Sequence, residues 1–228
     1  MVNTPTVHTN IEQGSDEWLQ LRCGMLTAST IGSLITPARV KVAENDTART
    51  LIAHLAAERI TGHVEPTYVS ADMERGTFDE PYARDLYTEH YGAAIEVGFM
   101  TNVFDGHTLG YSPDGLVGDD GLIEIKSRRQ KKHLQTILAD AVPLENMAQI
   151  QTGLLVSGRA WCDYISFCGG MPLYVKRVHP DPKWHETIRL ALTAYETQAA
   201  EMIATFTIRT KGAPIPERVD HFADMELS

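Results

Sequence analysis

Leu122-Ile123-Glu124-Ile125-Lys126-Ser127, LIEIKS in one-letter form, looks like sheet interior yet holds a carboxylate and an ammonium two residues apart. Alternate residues of a strand emerge on one face, so Glu124 and Lys126 project together while Ile123 and Ile125 face the other way. Just upstream, HTLGYSPDGLV (residues 107–117) is followed by Gly118-Asp119-Asp120-Gly121, a composition suited to a tight turn. The two runs therefore predict a hairpin that sets Asp114 nearly across from Glu124. Burying a carboxylate without a partner is costly, and two readings meet that cost. The two acids and the lysine could satisfy one another as an ion-pair network. Alternatively they could hold a divalent cation. Mg²⁺ prefers hard oxygen ligands and keeps several waters, so Asp114, Glu124 and the Ile125 carbonyl would leave room for water and a phosphate oxygen. Lys126, on the same face, could then orient the water or offset charge developing at phosphorus.

Outward from this hairpin, helical and strand-like patterns alternate. Asn45-Asp46-Thr47 precede Leu51, Ile52, Leu55, Ala56 and Ile60, with Gly62 just beyond: an amphipathic helix with start and stop signals. A second helix is expected within residues 70–90, ending before Gly92, and a third over 144–156, closed near Gly158. Strands are expected at 161–167 and 173–178, joined through Gly169-Gly170. The last helix opens at Asp181-Pro182, where proline suits the first turn. Its apolar stripe runs through Trp184, Ile188, Leu192, Tyr195, Ala199, Met202 and Phe206. The order implies a mixed α/β fold, a central β-sheet flanked by helices on both faces. With 228 residues, 43% of them hydrophobic, one domain over 1–228 is the expectation. A flexible stretch of roughly 12 residues is expected at its start.

Several classes of function find no support. The first residues lack a basic start followed by an apolar run, and no stretch has the length of a membrane span, so an unexported, cytoplasmic protein is expected. Cys23, Cys162 and Cys168 are odd in number and have no CxxC spacing, against both a disulfide framework and structural zinc. The nine histidines are dispersed, and no G-x-S-x-G, glycine-rich phosphate loop or H-E-x-x-H occurs. A formal net charge of −10 argues, by itself, against binding nucleic acid. Distribution can override the total: five cations fall within the eight positions 126–133 (KSRRQKKH), either a solvated helix start or loop, or a phosphate-binding patch beside the acids.

The segments LRCGMLTAST (21–30), RGTFDEPYARDLY (75–87), SPDGL (112–116), LIEIKS and NMAQIQ (146–151) stand in the order found in phage lambda exonuclease and related viral recombinases. From about Gln13 to the final helix the chain resembles that family, within the PD-(D/E)xK superfamily with its restriction-endonuclease-like core. The resemblance implies a Mg²⁺-dependent exonuclease that degrades the 5′-ended strand of linear duplex DNA, releases mononucleotides and leaves a 3′ overhang for recombination by strand annealing. Mn²⁺ is the implied substitute, with one or two ions per site. It makes Asp114, Glu124 and the Ile125 carbonyl metal ligands, with Glu80 supporting a second metal or its water. Lys126 becomes the catalytic lysine, and Gln149 the glutamine that follows the core strands. Arg22, Ser29 and Ser112 match residues that bind the 5′-phosphate of a DNA end, and Arg128 and Arg129 are candidates for backbone contacts. It also implies a ring-shaped homotrimer, a single-strand annealing protein as partner, and a phage or prophage origin in a bacterial host.

Plainer readings stand beside these. Thr77-Phe78-Asp79-Glu80 fits a capping box, unless the helix starts earlier and Pro81 lies inside it. Ser29 suits a helix N-cap before Ile31, Leu34 and Ile35, Arg22 an ordinary surface cation, and Gln149 a solvent face. The alternatives for the whole chain are an endonuclease or other repair nuclease of the superfamily, and a DNA-end binding module without catalysis.

Overall fold

The computed structural model describes residues 4–65 and 69–219. Its elements run β1 (Thr6–His8), α1 (Asp16–Arg22), a 3₁₀ turn (Ile31–Leu34), β2 (Ile35–Thr36), β3 (Lys41–Val42), α2 (Asp46–Thr61) and α3 (Ala71–His90). There follow β4 (Ala94–Ile95), β5 (Phe99–Phe104), β6 (His107–Tyr111), β7 (Gly115–Val117), β8 (Gly121–Ser127), α4 (Gln130–Ala139), α5 (Leu144–Ser157), β9 (Trp161–Phe167), β10 (Tyr174–Val178) and α6 (Pro182–Arg209). The helix boundaries follow local chemistry. Asn45 Oδ1 accepts from the Ala48 amide at 2.9 Å to open α2, and Gly62 closes it in the left-handed conformation. Asp181 accepts from the amides of Lys183 and Trp184 to start α6.

The main sheet has the order β10-β9-β8-β7-β4, with β8 and β9 parallel and the other neighbours antiparallel. Gly115 pairs with Ile123, so one residue further out Asp114 faces Glu124, as the turn composition implied. Strand alternation then assigns the two faces of β8. Ile123 and Ile125 pack with Ile165 against Ala83 and Tyr87 of α3. Leu122, Cys162 and Tyr164 belong to the larger core on the opposite face, with Ile150 and Leu154 of α5 and Ile188 and Leu192 of α6. Helices thus cover both faces of a mixed sheet.

Three expectations need correction. His107–Tyr111 does not continue the hairpin: β6 pairs with β5 in a separate sheet ordered β1-β5-β6, because Pro113 has no amide to extend a ladder and the chain changes sheets there. Of the two plain readings of the basic run, helix start and loop, the loop falls: the run leads into a full helix, α4. Its buried face is His133 and Thr136, whereas Leu134 and Leu138, apolar residues at helical spacing, are exposed. His133 is anchored to Ser166 Oγ at 2.8 Å and to the Pro172 carbonyl at 2.9 Å. The stripe of α6 is buried from Trp184 to Ala199, but Met202 and Phe206 are exposed.

Helix α5 reaches the core through a close approach at Gly153. A Cβ there would stand 2.6 Å from Cζ of the buried Tyr111 ring. Gly153→Ala should cost about 1–3 kcal/mol in urea denaturation. An unchanged midpoint would show that the helix can shift at no cost.

Candidate active site

Four segments converge where Asp114 faces β8. Glu124 is completely buried, and its Oε1 lies 2.6 Å from Lys126 Nζ. Lys126 Nζ also donates to Gln149 Oε1 on α5 at 3.1 Å. Asp114 Oδ2 accepts from the Ile125 amide at 2.6 Å, which pins the carboxylate to β8. From α3, Glu80 reaches the same place, ion-paired with Arg84. Arg84 also donates from Nε to the Asp114 carbonyl and from Nη1 to Glu96 Oε2, both at 2.7 Å. All five residues expected to carry catalysis are thus brought together.

Burial sets the electrostatics of the cluster. It pushes the Asp114 carboxyl up to about 7, helped by the Glu124 charge and opposed by Lys126, the Ile125 amide and Arg84. Glu80 is likewise pushed up to about 7, by burial and then by Asp114, with Arg84 pulling the other way. Burial raises Glu124 too, and Lys126 and Gln149 offset part of the cost. For Lys126, burial favours the neutral amine, but the Glu124 and Asp114 carboxylates outweigh it and raise its pKa. The site is therefore an excess of carboxylate around one retained ammonium.

That imbalance tests the ion-pair reading against the metal reading. Glu124 is fully buried with Lys126 as its ion partner at 2.6 Å, so one ammonium stands against two buried carboxylates, Glu124 and Asp114, and leaves an anionic excess. Among the described residues, no group of three or more acidic, histidine or cysteine side chains is placed to hold a metal ion by itself. Two carboxylates and a backbone carbonyl, all hard oxygens, instead fit a cation that retains water, as Mg²⁺ does.

A second cluster lies at the end of α1. Arg22 stacks on Trp18 with its guanidinium 3.7 Å from the ring centroid, and Nη2 reaches Ser29 Oγ at 3.2 Å and Thr27 Oγ1 at 3.4 Å. Trp18 Nε1 donates to Ser112 Oγ at 3.2 Å, two residues from Asp114. Burial lowers the Arg22 pKa to about 10, with Glu58 acting to raise it, so it remains cationic at neutral pH. A cavity of about 410 Å³ opens here, lined by Trp18, Arg22, Thr27, Ser29, His54 and Met73 among others. Ser29 is not an N-cap: the 3₁₀ turn begins after Thr30, whose hydroxyl is tied to Thr27. Arg22 is not an ordinary surface cation.

The other plain readings also fall. Thr77 and Glu80 lie mid-helix in α3 with Pro81 inside it, which excludes a capping box, and Thr77 Oγ1 donates back to the Met73 carbonyl. Gln149 contacts Lys126, whereas Gln151 is a structural tie to the His179 carbonyl and the Asp181 amide. The basic run is divided. Lys126 belongs to the site, Arg128 donates to Asn146 Oδ1 at 2.6 Å, and Arg129 and Lys132 pair with Asp72 and Glu145. Arg75, Arg128, Arg129 and Lys132 line one groove beside Ser127, but three of the four are ion-paired, Arg75 and Arg129 with Asp72 and Lys132 with Glu145. Trp18 and Arg84 were missed by sequence reasoning. Each stands four residues from a residue that was singled out, Arg22 and Glu80, and helical spacing was the available signal.

Residues 17–160 match the family model described as the YqaJ-like viral recombinase domain. Among solved structures the chain is similar to an alkaline exonuclease (LHK-Exo) from Laribacter hongkongensis, with 30% identity and a TM-score of 0.77 over 88% of this chain and 100% of that one. The same values hold for LHK-Exo in complex with dAMP. A phage related exonuclease from Haemophilus somnus 129PT shares the fold at 13% identity and a TM-score of 0.61, over 80% of this chain and 96% of that one. No curated protein matches the sequence. Among the described residues, no helix is long and apolar enough to cross a membrane.

Proposed function

The chain belongs to the YqaJ-like viral recombinase family, and from that premise we propose that it is a metal-dependent DNA exonuclease. It degrades the 5′-ended strand of linear duplex, releases mononucleotides and leaves a 3′ overhang for strand annealing. The observation that carries this reading is the fully buried Glu124 carboxylate, ion-paired with Lys126 at 2.6 Å and facing the second buried carboxylate, Asp114. Asp114, Glu124 and the Ile125 carbonyl would hold a Mg²⁺ ion, or Mn²⁺ in its place, with Glu80 assisting it or a second ion, and the bound ion would supply a more acidic water and offset phosphoryl charge. Lys126, kept protonated between Glu124 and Gln149, donates hydrogen bonds to the attacked phosphoryl group or to the water. Arg22, Ser29 and Ser112 take the 5′-phosphate, and Arg128 and Arg129 contact the backbone. The dAMP bound to LHK-Exo is a mononucleotide, which supports that product class here.

End-labelled linear duplex with and without Mg²⁺ tests the reading. Loss of 5′ label as mononucleotide supports it. Cleavage of circular duplex would favour an endonuclease, and binding of ends without degradation a DNA-end binding module. Arg22 offers charge-assisted hydrogen bonds from a planar fork. Arg22→Ala should therefore cut the preference for 5′-phosphorylated over 5′-hydroxyl ends by roughly 10- to 100-fold. An unchanged ratio would place end recognition elsewhere.

The proposed working form is a homotrimeric ring acting with a single-strand annealing protein in the cytoplasm of a phage-carrying bacterial host. Three copies triple the negative charge, so DNA enters only if the channel is locally cationic and the acids face outward. Sedimentation should give a trimer, and processivity should fall steeply with salt. Monomer alone, together with long digestion tracts, would remove the ring.

A further inference from the structure

Arg84 is 12% exposed in its side chain, and its three donor groups meet three different parts of the chain. Nε holds the backbone carbonyl of Asp114, Nη2 the carboxylate of Glu80, and Nη1 the carboxylate of Glu96 just beyond β4. Asp114 is thus fixed twice, at its carbonyl by Arg84 and at its carboxylate by the Ile125 amide. Glu80 and Arg84 are one turn apart on α3, so the guanidinium joins that helix to the segment that presents Asp114 to β8. We infer that Arg84 is a positioning residue of the nuclease site, locking Asp114 and Glu80 into one rigid unit on the side opposite Gln149. The inference rests on the proposed metal-dependent nuclease. Charge neutralisation alone does not account for the arrangement. One of the three acceptors is a neutral carbonyl, and reaching all three at once takes a rigid planar fork that a lysine ammonium cannot reproduce.

Arg84→Lys separates fork from charge, because it keeps the positive charge next to Glu80 and Asp114. With fold checked by circular dichroism, kcat should drop roughly 10- to 100-fold while KM for duplex ends stays within about twofold. Mn²⁺ binding, measured by calorimetry without DNA, should weaken about tenfold. Glu96→Gln, altered at a position 65% exposed, should change neither quantity by more than about threefold. In Arg84→Ala, added guanidinium should restore part of the activity and methylammonium should not. Wild-type kcat and Mn²⁺ affinity in Arg84→Lys, or equal rescue by the two cations, would overturn the positioning role and leave the nuclease standing. A wild-type protein that neither binds Mn²⁺ nor degrades DNA would remove the nuclease reading itself.

Discussion

Asp114→Asn and Glu124→Gln should each lower DNA hydrolysis on the order of a thousandfold or more while the protein stays folded, because each removes a hard anionic oxygen from the proposed metal site with little change in volume. Without divalent cation both variants should melt at or above the wild-type temperature. Each relieves a carboxylate that burial and its neighbour already push toward the neutral form. Lys126→Ala should be nearly as inactive, yet with the opposite effect on stability. It strands the fully buried Glu124, whose ion partner at 2.6 Å is Lys126, and breaking such a buried pair costs about 3–5 kcal/mol. Calorimetry on the three variants, alongside end-labelled digestion, checks both halves. Near-normal digestion by either acid variant would sink the metal-ligand assignment. A Lys126→Ala protein as stable as wild type would show that Glu124 is neutral in the folded state.

Much of this site was legible because it sits on a strand with a fixed period. Two residues of spacing put Glu124 and Lys126 on one face, and a glycine-bounded turn fixed Asp114 opposite them, so register followed from the sequence between 114 and 126. Helix α2 was legible for a similar reason, with Asn45 and Gly62 marking its ends. What stayed hidden depends on contacts far apart in sequence. No pattern announces that α4 buries a histidine against Ser166, or that β6 leaves for another sheet at Pro113. The roles of Glu80, Arg22, Ser29 and Gln149 came from family resemblance, since spacing alone gave each an ordinary alternative. The structure removes those alternatives by geometry: Glu80 is mid-helix beside Asp114, and Arg22 is stacked and hydrogen-bonded.

The raised carboxyls also make stability depend on pH in an unusual direction. Asp114 and Glu80 titrate near 7 in the fold, against 3.8 and 4.5 as ordinary values. A group whose folded pKa is raised contributes stability that is complete below its unfolded pKa and is lost as pH rises through the folded value. Without divalent cation, the melting temperature should therefore decline from about pH 4 to about pH 7 and then level. At roughly 1.4 kcal/mol per pKa unit, the fully buried Asp114 alone should lose about 4 kcal/mol over that span, or about 8–16 °C for a chain of this size. In the proposed site Mg²⁺ would compete with protons for the same oxygens, so its stabilising effect should be small at pH 5.5 and large at pH 8. Asp114→Asn should flatten the metal-free curve and abolish most of the Mg²⁺ effect. Scanning calorimetry across that pH range, with EDTA or with Mg²⁺, measures both. An equal Mg²⁺ shift at both ends of the range, or one that survives Asp114→Asn, would mean that the cation stabilises the protein at some other place and that these carboxylates are not its ligands.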